Sequence, residues 1–185
     1  MDSKSSELDA AWRRRLQAQI GREYPAVHAW DPVDAAMIRH WCEALGDANP
    51  LYTDAMYAVG TGRGGIVAPP AMLRSWLLPG YGGKRPPNSG LEDATIAARE
   101  LFREGGYSGE IGVGTEDTYL RDLHPGDHLN YTSVLETVSE LKSTRLGPGY
   151  FFAVRMDVFD QRGRAVGMIR SRELAYRRAP VPARS

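Results

Sequence analysis

The chain has 185 residues, and 23 lysines and arginines balance 23 aspartates and glutamates, so the net charge is zero. Zero net charge argues against nucleic acid as an electrostatic partner. The single cysteine, Cys42, excludes an intramolecular disulfide framework. No apolar run approaches the roughly 18 residues of a membrane span, and residues 1–15 hold no apolar signal core. We therefore expect a cytoplasmic globular protein.

The chain is predicted to divide into an N-terminal arm over 1–29, one domain over 30–178 and a disordered tail over 179–185. Within the arm, apolar residues recur at every fourth position, which predicts a helix. They are Leu8, Trp12, Leu16 and Ile20. Residues 1–6 before this helix are expected to be disordered.

Three further helices are indicated by their start and stop signals. Asp31 is a candidate N-cap for a helix that Gly46 ends. Pro69-Pro70 opens another helix. Ser89 and Glu92 have the spacing of a capping box for the third.

From about residue 109 the apolar period changes to two, which indicates strands. The predicted strands lie near 110–123, 128–141, 149–160 and 165–177. Helices followed by an antiparallel meander predict an α+β fold and not a parallel sheet. The Gly- and Pro-rich residues 79–90 have no period, and predict either a functional loop such as a lid or a disordered loop.

Two sequence patterns resemble cofactor or metal sites, but the residues around each of them argue against binding. Residues 60–65 match the G-x-G-x-x-G sequence, but helix-like residues precede them where a dinucleotide site needs a strand. His124 and His128 are separated by Pro125-Gly126, so they cannot share a helical face as a metal pair. We expect no cofactor and no metal.

Four stretches, taken in order, resemble the MaoC-like hydratase/dehydratase family over about residues 30–177. The first, Gly46-Asp47-Ala48-Asn49-Pro50, matches most of that family's hydratase motif. The others are residues 64–72, 121–127 and 142–151, the last resembling the N-terminal-type branch of the family. The resemblance implies a single hotdog fold, in which a curved antiparallel sheet wraps a long central helix.

The resemblance also implies the chemistry of the site. The family adds water to a trans-2-enoyl thioester, or removes it from an (R)-3-hydroxyacyl thioester, with an Asp and a His that are separated by four residues. Asp47 matches the Asp, and Tyr52 stands where the family has His, with Asn49 between them. A free tyrosine has a pKa near 10 and is a poor base. Loss of a general base typically costs about 10²–10⁴-fold in rate.

The family binds the thioester oxygen with backbone N–H groups at the start of its central helix. Here that start corresponds to Ala68-Pro69-Pro70-Ala71-Met72, and the prolines have no N–H. The donors are therefore expected from Ala68, Ala71, Met72 or the Gly64-Gly65 side. The predicted substrate-binding residues are Arg63, Gly65, Ile66, Val67, Ala68, Ala71, Met72, Arg145 and Tyr150. The two arginines are candidates for CoA phosphates or ordinary surface charges.

Several functions remain open at this stage. The intact Asp47 beside a lost His favours an acyl-binding subunit that needs a catalytic hotdog partner, as in the large-subunit MaoC domain of heteromeric steroid-type acyl-CoA hydratases. One alternative is a self-sufficient homodimeric dehydratase that uses Asp47 and Tyr52. Others are a non-enzymatic acyl-thioester-binding protein and a thioesterase. The predicted partners are an acyl thioester, of CoA or a carrier protein, and a second hotdog subunit.

Overall fold

One antiparallel sheet forms the frame of the protein. The computed structural model describes the backbone of residues 3–178 and the side chains of residues 9–178. The strands are β1 (Glu23–His28), β2 (Gly109–Tyr119), β3 (Asn130–Val138), β4 (Lys142–Thr144), β5 (Gly147–Phe159) and β6 (Ala165–Tyr176). They are ordered β1-β3-β5-β6-β2, and the short β4 pairs with β5. The predicted antiparallel strands after residue 109 are confirmed, but the predicted meander is wrong for β2, which pairs with β6 and not with the next strand, β3.

The helices of the described residues precede or interrupt this sheet. They are α1 (Ser3–Gln17), α2 (Ala35–Leu45), α3 (Pro50–Thr53), α4 (Ala55–Gly60) and α5 (Ala94–Glu104). None of them is long and apolar enough to cross a bilayer. The predicted tail 179–185 lies outside the described residues, as do residues 1 and 2 of the predicted disordered start. Residues 3–6 of that start belong to α1, which corrects this part of the expectation.

Strand β1 lies inside the segment 1–29 that the sequence analysis treated as an arm. It pairs antiparallel with β3, where Tyr24 lies opposite Ser133 and Val27 opposite Tyr131. Both Tyr24 and Val27 are buried. This part of the segment is therefore a component of the sheet.

The core consists of two clusters on the helix-covered face of the sheet. The first lies under α2 and contains Ile38, Met72, Trp76 and Ile169. The second lies around α5 and includes Phe102, Leu135 and Phe152. Alternate residues of β5 point into these clusters, because side chains on a strand alternate between its two faces. The fold is the predicted hotdog, with α5 as its central helix.

The central helix begins later than the sequence analysis placed it. Residues Pro70–Met72 and Ser75–Leu77 form only short 3₁₀ turns. The helix that packs against the sheet is Ala94–Glu104. Pro79 and the glycines after it prevent one continuous helix from the 3₁₀ turns to α5, because proline and glycine are the poorest helix formers. The prediction that residues 68–72 open the central helix is therefore wrong.

Two predicted N-caps are also corrected. Helix α2 is capped by Asp34, whose carboxylate accepts from the amide of Met37 at 2.9 Å. Asp31 lies before the cap, because Val33 pairs through its backbone with the turn at 126–127 and stays extended. Helix α5 is capped by Asp93, while Ser89 instead accepts a hydrogen bond from the amide of His28 at 2.9 Å. Buried tertiary contacts decided both helix starts.

The 79–90 loop is ordered by hydrogen bonds to the rest of the chain. The amide of Gly90 donates to the carbonyl of Ala26 in β1 at 2.9 Å. The indole of Trp30 donates to the carbonyl of Lys84 at 3.1 Å. Gly80 sits directly on that indole, where an added Cβ would lie 2.6 Å from Nε1. Of the two alternatives that the sequence left open for this loop, the disordered one is therefore wrong.

Candidate active site

The acidic motif forms the turn between α2 and α3. Gly46 ends α2 in the left-handed conformation, with φ of 66°, which favours glycine because it has no Cβ. The carboxylate of Asp47 accepts from the amide of Asn49 at 3.0 Å. The side-chain oxygen of Asn49 accepts from the amide of Leu51 at 3.1 Å and so caps α3. Asn49 thus holds the turn that presents Asp47.

Tyr52, at the family's histidine position, is half-buried against the first core cluster. Burial raises the pKa of its phenol, and the nearby negative charge of Asp47 raises this pKa further. A hydrogen bond from the side chain of Asn49 acts in the opposite direction and is outweighed. At neutral pH Tyr52 is therefore protonated, so it can donate a hydrogen bond but cannot serve as a general base.

The segment predicted to bind the thioester lies directly against this motif. The amide of Val67 donates to the carbonyl of Leu51 at 3.1 Å, and the amide of Ala68 donates to the carbonyl of Leu123 at 2.8 Å. The amide of Met72 donates to the carbonyl of Pro69. These three amides are therefore committed within the chain. Within residues 3–178, the amides of Gly65 and Ile66 donate no hydrogen bond, which favours them as donors to a ligand oxygen.

The fold brings His124 to this segment. The sequence analysis placed this residue in the 121–127 stretch that resembles the family, and weighed the side chain itself only as a metal ligand. Its Nδ1 lies 3.2 Å from the carbonyl oxygen of Ile66, and its amide donates to the carboxylate of Asp127 at 3.0 Å. A carbonyl only accepts, so this contact requires the proton on Nδ1, and in the neutral ring Nε2 is then the acceptor. No sequence spacing links position 124 to position 66, so only the tertiary contact reveals it.

A cleft of about 320 Å³ lies between residues 68–73 and the end of β2. Its walls include Ala68, Tyr119 and Asp122. Arg63, one of the predicted CoA contacts, forms a 2.9 Å ion pair with Asp122 at this cleft. A cleft bounded by a predicted binding segment is the expected form of a small-molecule site.

Other predicted binding residues lie away from this segment or under it. Tyr150 belongs to the second core cluster, where its ring meets Trp12 edge-on and stacks on Phe102. Burial raises the pKa of Tyr150 to about 12. Arg145 is exposed in the turn between β4 and β5. Met72 is completely buried in the first cluster, whereas Ala71 is exposed. The structure thus brings together Asp47, Asn49, Tyr52 and residues 63–68, but not Arg145 or Tyr150.

A hotdog with a MaoC-type acidic turn against a short extended segment defines the class of the protein as MaoC-like. Residues 18–168 match the family model described as "FAS1-like, dehydratase domain region". The chain therefore belongs to the FAS1-like dehydratase domain family, which confirms the resemblance seen in the motifs.

Two curated relatives have similar sequences. One, from Thermomonospora curvata, is named "Probable enoyl-CoA hydratase alpha subunit" and is 39% identical over 170 residues, which cover 90% of this chain and 52% of the relative. The other, from Mycobacterium tuberculosis, is named "3-oxo-4,17-pregnadiene-20-carboxyl-CoA hydratase alpha subunit". It is 42% identical over 123 residues, which cover 66% of this chain and 38% of the relative. The chain thus spans about half or less of the length of these relatives.

Solved structures agree on the fold. The ChsH1-ChsH2 complex from Mycobacterium tuberculosis contains a chain that matches with a TM-score of 0.79 and 33% identity, over 96% of both chains. A MaoC-like dehydratase from Rhodospirillum rubrum matches with a TM-score of 0.58 and 22% identity, over 88% of this chain and 94% of the other. The second likeness bears on the fold alone.

Proposed function

We propose that this protein is the acyl-binding half of a heteromeric MaoC-like enoyl-CoA hydratase, or of the corresponding (R)-3-hydroxyacyl-thioester dehydratase. Its partner is a second hotdog subunit that keeps both the Asp and the His of the family. The acyl group is carried as a thioester, and CoA is the carrier that the relatives' names favour. A cytoplasmic location is part of this proposal.

The observation that carries the proposal is the protonated Tyr52 beside Asp47. Hydration needs one group that takes a proton from water and another that delivers a proton to the α-carbon. Because its pKa is raised, Tyr52 cannot act as the base at the position where the family has histidine. The acidic turn and the segment 64–68 nevertheless keep their mutual contact. A retained binding frame with a missing base is what a non-catalytic half requires.

The two relatives named alpha subunits support the same assignment, since an alpha subunit implies another chain. The structural neighbour that matches over nearly its whole length is likewise part of a two-component complex.

Strand β2 is the edge that we assign to this second subunit. The opposite edge, β1, is partly covered by the 79–90 loop. The amide of Gly90 in this loop donates to the carbonyl of Ala26 in β1, and the amide of His28 in β1 donates to the hydroxyl of Ser89. β2 pairs only with β6 among the described strands and extends over 11 residues, with exposed Ile111 and Val113 along it. An unpaired edge of this length with apolar side chains is a template for pairing.

The test is the hydration of crotonyl-CoA and of one bulky trans-2-enoyl-CoA, followed by the loss of absorbance of the conjugated thioester. We expect the purified chain to be inactive alone. We expect activity when it is co-expressed with a MaoC-like chain from the same genome that keeps both Asp and His. Activity of the purified chain alone would contradict the proposal. Binding of thioesters without turnover in every pairing would identify an acyl-thioester-binding protein.

A self-sufficient homodimer is the second candidate, and the position of His124 favours it. Its Nε2 is available as an acceptor next to the free amides of Gly65 and Ile66. In that case His124, not Tyr52, supplies the missing base. The purified chain would then hydrate crotonyl-CoA, and both Asp47→Asn and His124→Gln would abolish the activity, whereas Tyr52→Phe would not.

A further inference from the structure

The face of the sheet opposite α5, here called the outer face, carries an apolar row. Phe152 points into the second core cluster, so Phe151, the residue before it, points to the outer face. The register places Leu174 of β6 between Phe151 and Ile111 of β2. Phe151 and Ile111 are 38% and 46% exposed. A solvated sheet face is ordinarily polar, and adjoining exposed apolar side chains are a feature of interaction surfaces.

An open groove of about 430 Å³ lies beside this row on the outer face. Its walls include Val113 of β2, Thr137 of β3, Phe151 of β5 and Arg172 of β6. The register aligns Thr137 and Arg172 on either side of Ala153. The groove thus combines apolar walls with one guanidinium. A groove of this kind fits the anchoring side chain of a bound protein.

Two glycines of β2 beside the groove have no conformational reason to be glycine. Among the described residues, a Cβ added at Gly112 would meet nothing within 4 Å, and one at Gly114 only the guanidinium of Arg172, at 3.8 Å. The register shifts between the two glycines, which is a bulge, but neither has a positive φ that would require glycine. Glycine inside a strand also marks a place where another backbone approaches closely. The two glycines therefore indicate that a partner chain approaches β2 at this point.

Among the side chains that the structure describes, the arginines of the outer face differ in their pairing. Arg155 and Arg170 both form ion pairs with Glu136. Arg172 is exposed, lines the groove and pairs with no described carboxylate. A guanidinium binds a carboxylate through two parallel hydrogen bonds. The groove is therefore complementary to a segment that carries a carboxylate next to an apolar side chain.

The groove continues the edge that we assign to the second hotdog subunit. Ile111 and Val113 belong to β2, and they also contribute to the apolar row and to the groove. A subunit that pairs with β2 therefore reaches the outer face directly. A second copy of this chain fits less well, because a twofold interface brings the same patch of both copies together. The two Arg172 side chains would then bring like charges into one interface.

We propose that the second hotdog subunit, besides pairing with β2, lays an acidic segment over the outer face. An apolar side chain of that segment enters the groove against Phe151, and a carboxylate of the same segment binds Arg172. The inference rests on the proposed function and adds to it the chemistry by which this chain selects its partner.

The test is the affinity of the full chain for the MaoC-like chain from the same genome that keeps both Asp and His, measured by isothermal titration calorimetry. We expect Arg172→Glu to raise the Kd at least about tenfold, because it opposes the carboxylate. Arg172→Lys keeps the charge and should change the Kd less than Arg172→Gln does. Arg162→Glu is the control, because Arg162 is equally exposed and lies in the turn between β5 and β6. It should leave the Kd within about twofold of the unaltered value.

The apolar half of the groove is tested separately. Phe151→Ser removes the aromatic wall and should also raise the Kd at least about tenfold. Tyr81→Ser removes an aromatic ring that is 98% exposed in the 79–90 loop, and should leave the Kd unchanged. Circular dichroism checks the folding of each variant. Should Phe151→Ser fold poorly, the series at Arg172 still decides the proposal.

The outcomes separate this inference from the proposed function. An active complex whose Kd is unchanged by Arg172→Glu would overturn the acidic docking segment and leave the two-subunit hydratase intact. Self-association of the purified chain that Phe151→Ser abolishes would identify a second copy as the occupant, and would also overturn the inference. Failure of the two chains to associate at all would overturn the proposed function, and this inference with it.

Discussion

The amide of Val67 donates a 3.1 Å hydrogen bond to the carbonyl of Leu51, and this contact joins the two sequence motifs of the site. Leu51 lies in α3 directly after the acidic turn, and Val67 lies in the extended segment that follows α4. Asp47 and the free amides of Gly65 and Ile66 are thereby held on neighbouring segments. The frame that we propose for acyl-thioester binding is thus held together even though the family's histidine is absent at position 52.

Restoring that histidine is expected to create activity in the isolated chain. Tyr52→His places an imidazole, with an ordinary pKa near 6.5, at the family position beside Asp47. Because a general base contributes about 10²–10⁴-fold, crotonyl-CoA hydration by the single chain should rise by about 10²-fold or more over the unaltered protein.

Tyr52→Phe is the matched control for this substitution. It removes the hydroxyl and keeps the ring that packs on the first core cluster, so it should leave the chain folded and inactive. A chain with Tyr52→His that stays folded and shows no gain would mean that the site needs more than the missing base.

Charge on the β2 edge is expected to prevent assembly. Ile111 and Val113 are 46% and 49% exposed on this strand. Lysine on an edge strand blocks pairing with another sheet, so the double variant Ile111→Lys, Val113→Lys should weaken association with a second hotdog at least tenfold. Light scattering after size-exclusion chromatography measures the assembly.

The equivalent change at Leu146, exposed in the turn between β4 and β5, serves as the control and should leave assembly intact. If Leu146→Lys dissociated the complex and the β2 variant did not, the interface would lie elsewhere.

Gly80→Ala is expected to destabilise the protein by forcing Trp30 from its place. The new Cβ would lie 2.6 Å from Nε1 of that indole, which also donates to Lys84. Overpacking of this kind costs about 1–3 kcal/mol. Urea denaturation should show this loss. At Gly60, an added Cβ meets nothing within 4 Å, so Gly60→Ala should leave the free energy of unfolding unchanged or slightly higher.

Acid is expected to weaken the corner that carries His124, through Asp160. The buried Asp160 accepts from Arg121 and Arg164, both at 2.7 Å, and Arg121 also pairs with Asp127. Burial acts to raise the pKa of Asp160, but the hydrogen bonds from Arg164 and Arg162 outweigh it and lower this pKa from 3.8 to about 2. The pKa is lower in the folded state, so the ionised carboxylate stabilises the fold above about pH 4.

That stabilisation is lost as the pH falls from about 4 towards 2. Urea unfolding at a series of pH values should show Asp160→Asn as less stable than the unaltered chain at neutral pH, with the difference shrinking through this window. A constant difference down to pH 2 would mean that Asp160 acts by packing and not by its charge.

Sequence reasoning succeeded where the signal is local. The period of two after residue 109 follows from the alternation of side chains on a strand, and β2, β3, β5 and β6 lie where it placed them. Sequence reasoning failed where a contact with a distant residue determines at which residue a helix begins. Asp34 and Asp93 cap α2 and α5 in place of Asp31 and Ser89, because Val33 is held by the 126–127 turn and Asp93 by Arg85.

The sequence by itself determined the class of fold, the acidic turn with Asp47 and Asn49, and the absence of a histidine at position 52. Each of these depends on residues that are neighbours in the chain. The tertiary structure alone decided that His124 contacts Ile66, that β2 lies at an edge of the sheet among the described strands, and that the 79–90 loop lines a cavity with Thr95 and Arg85. These features join residues that are distant in the chain, and only the packing of the sheet against its helices brings them together.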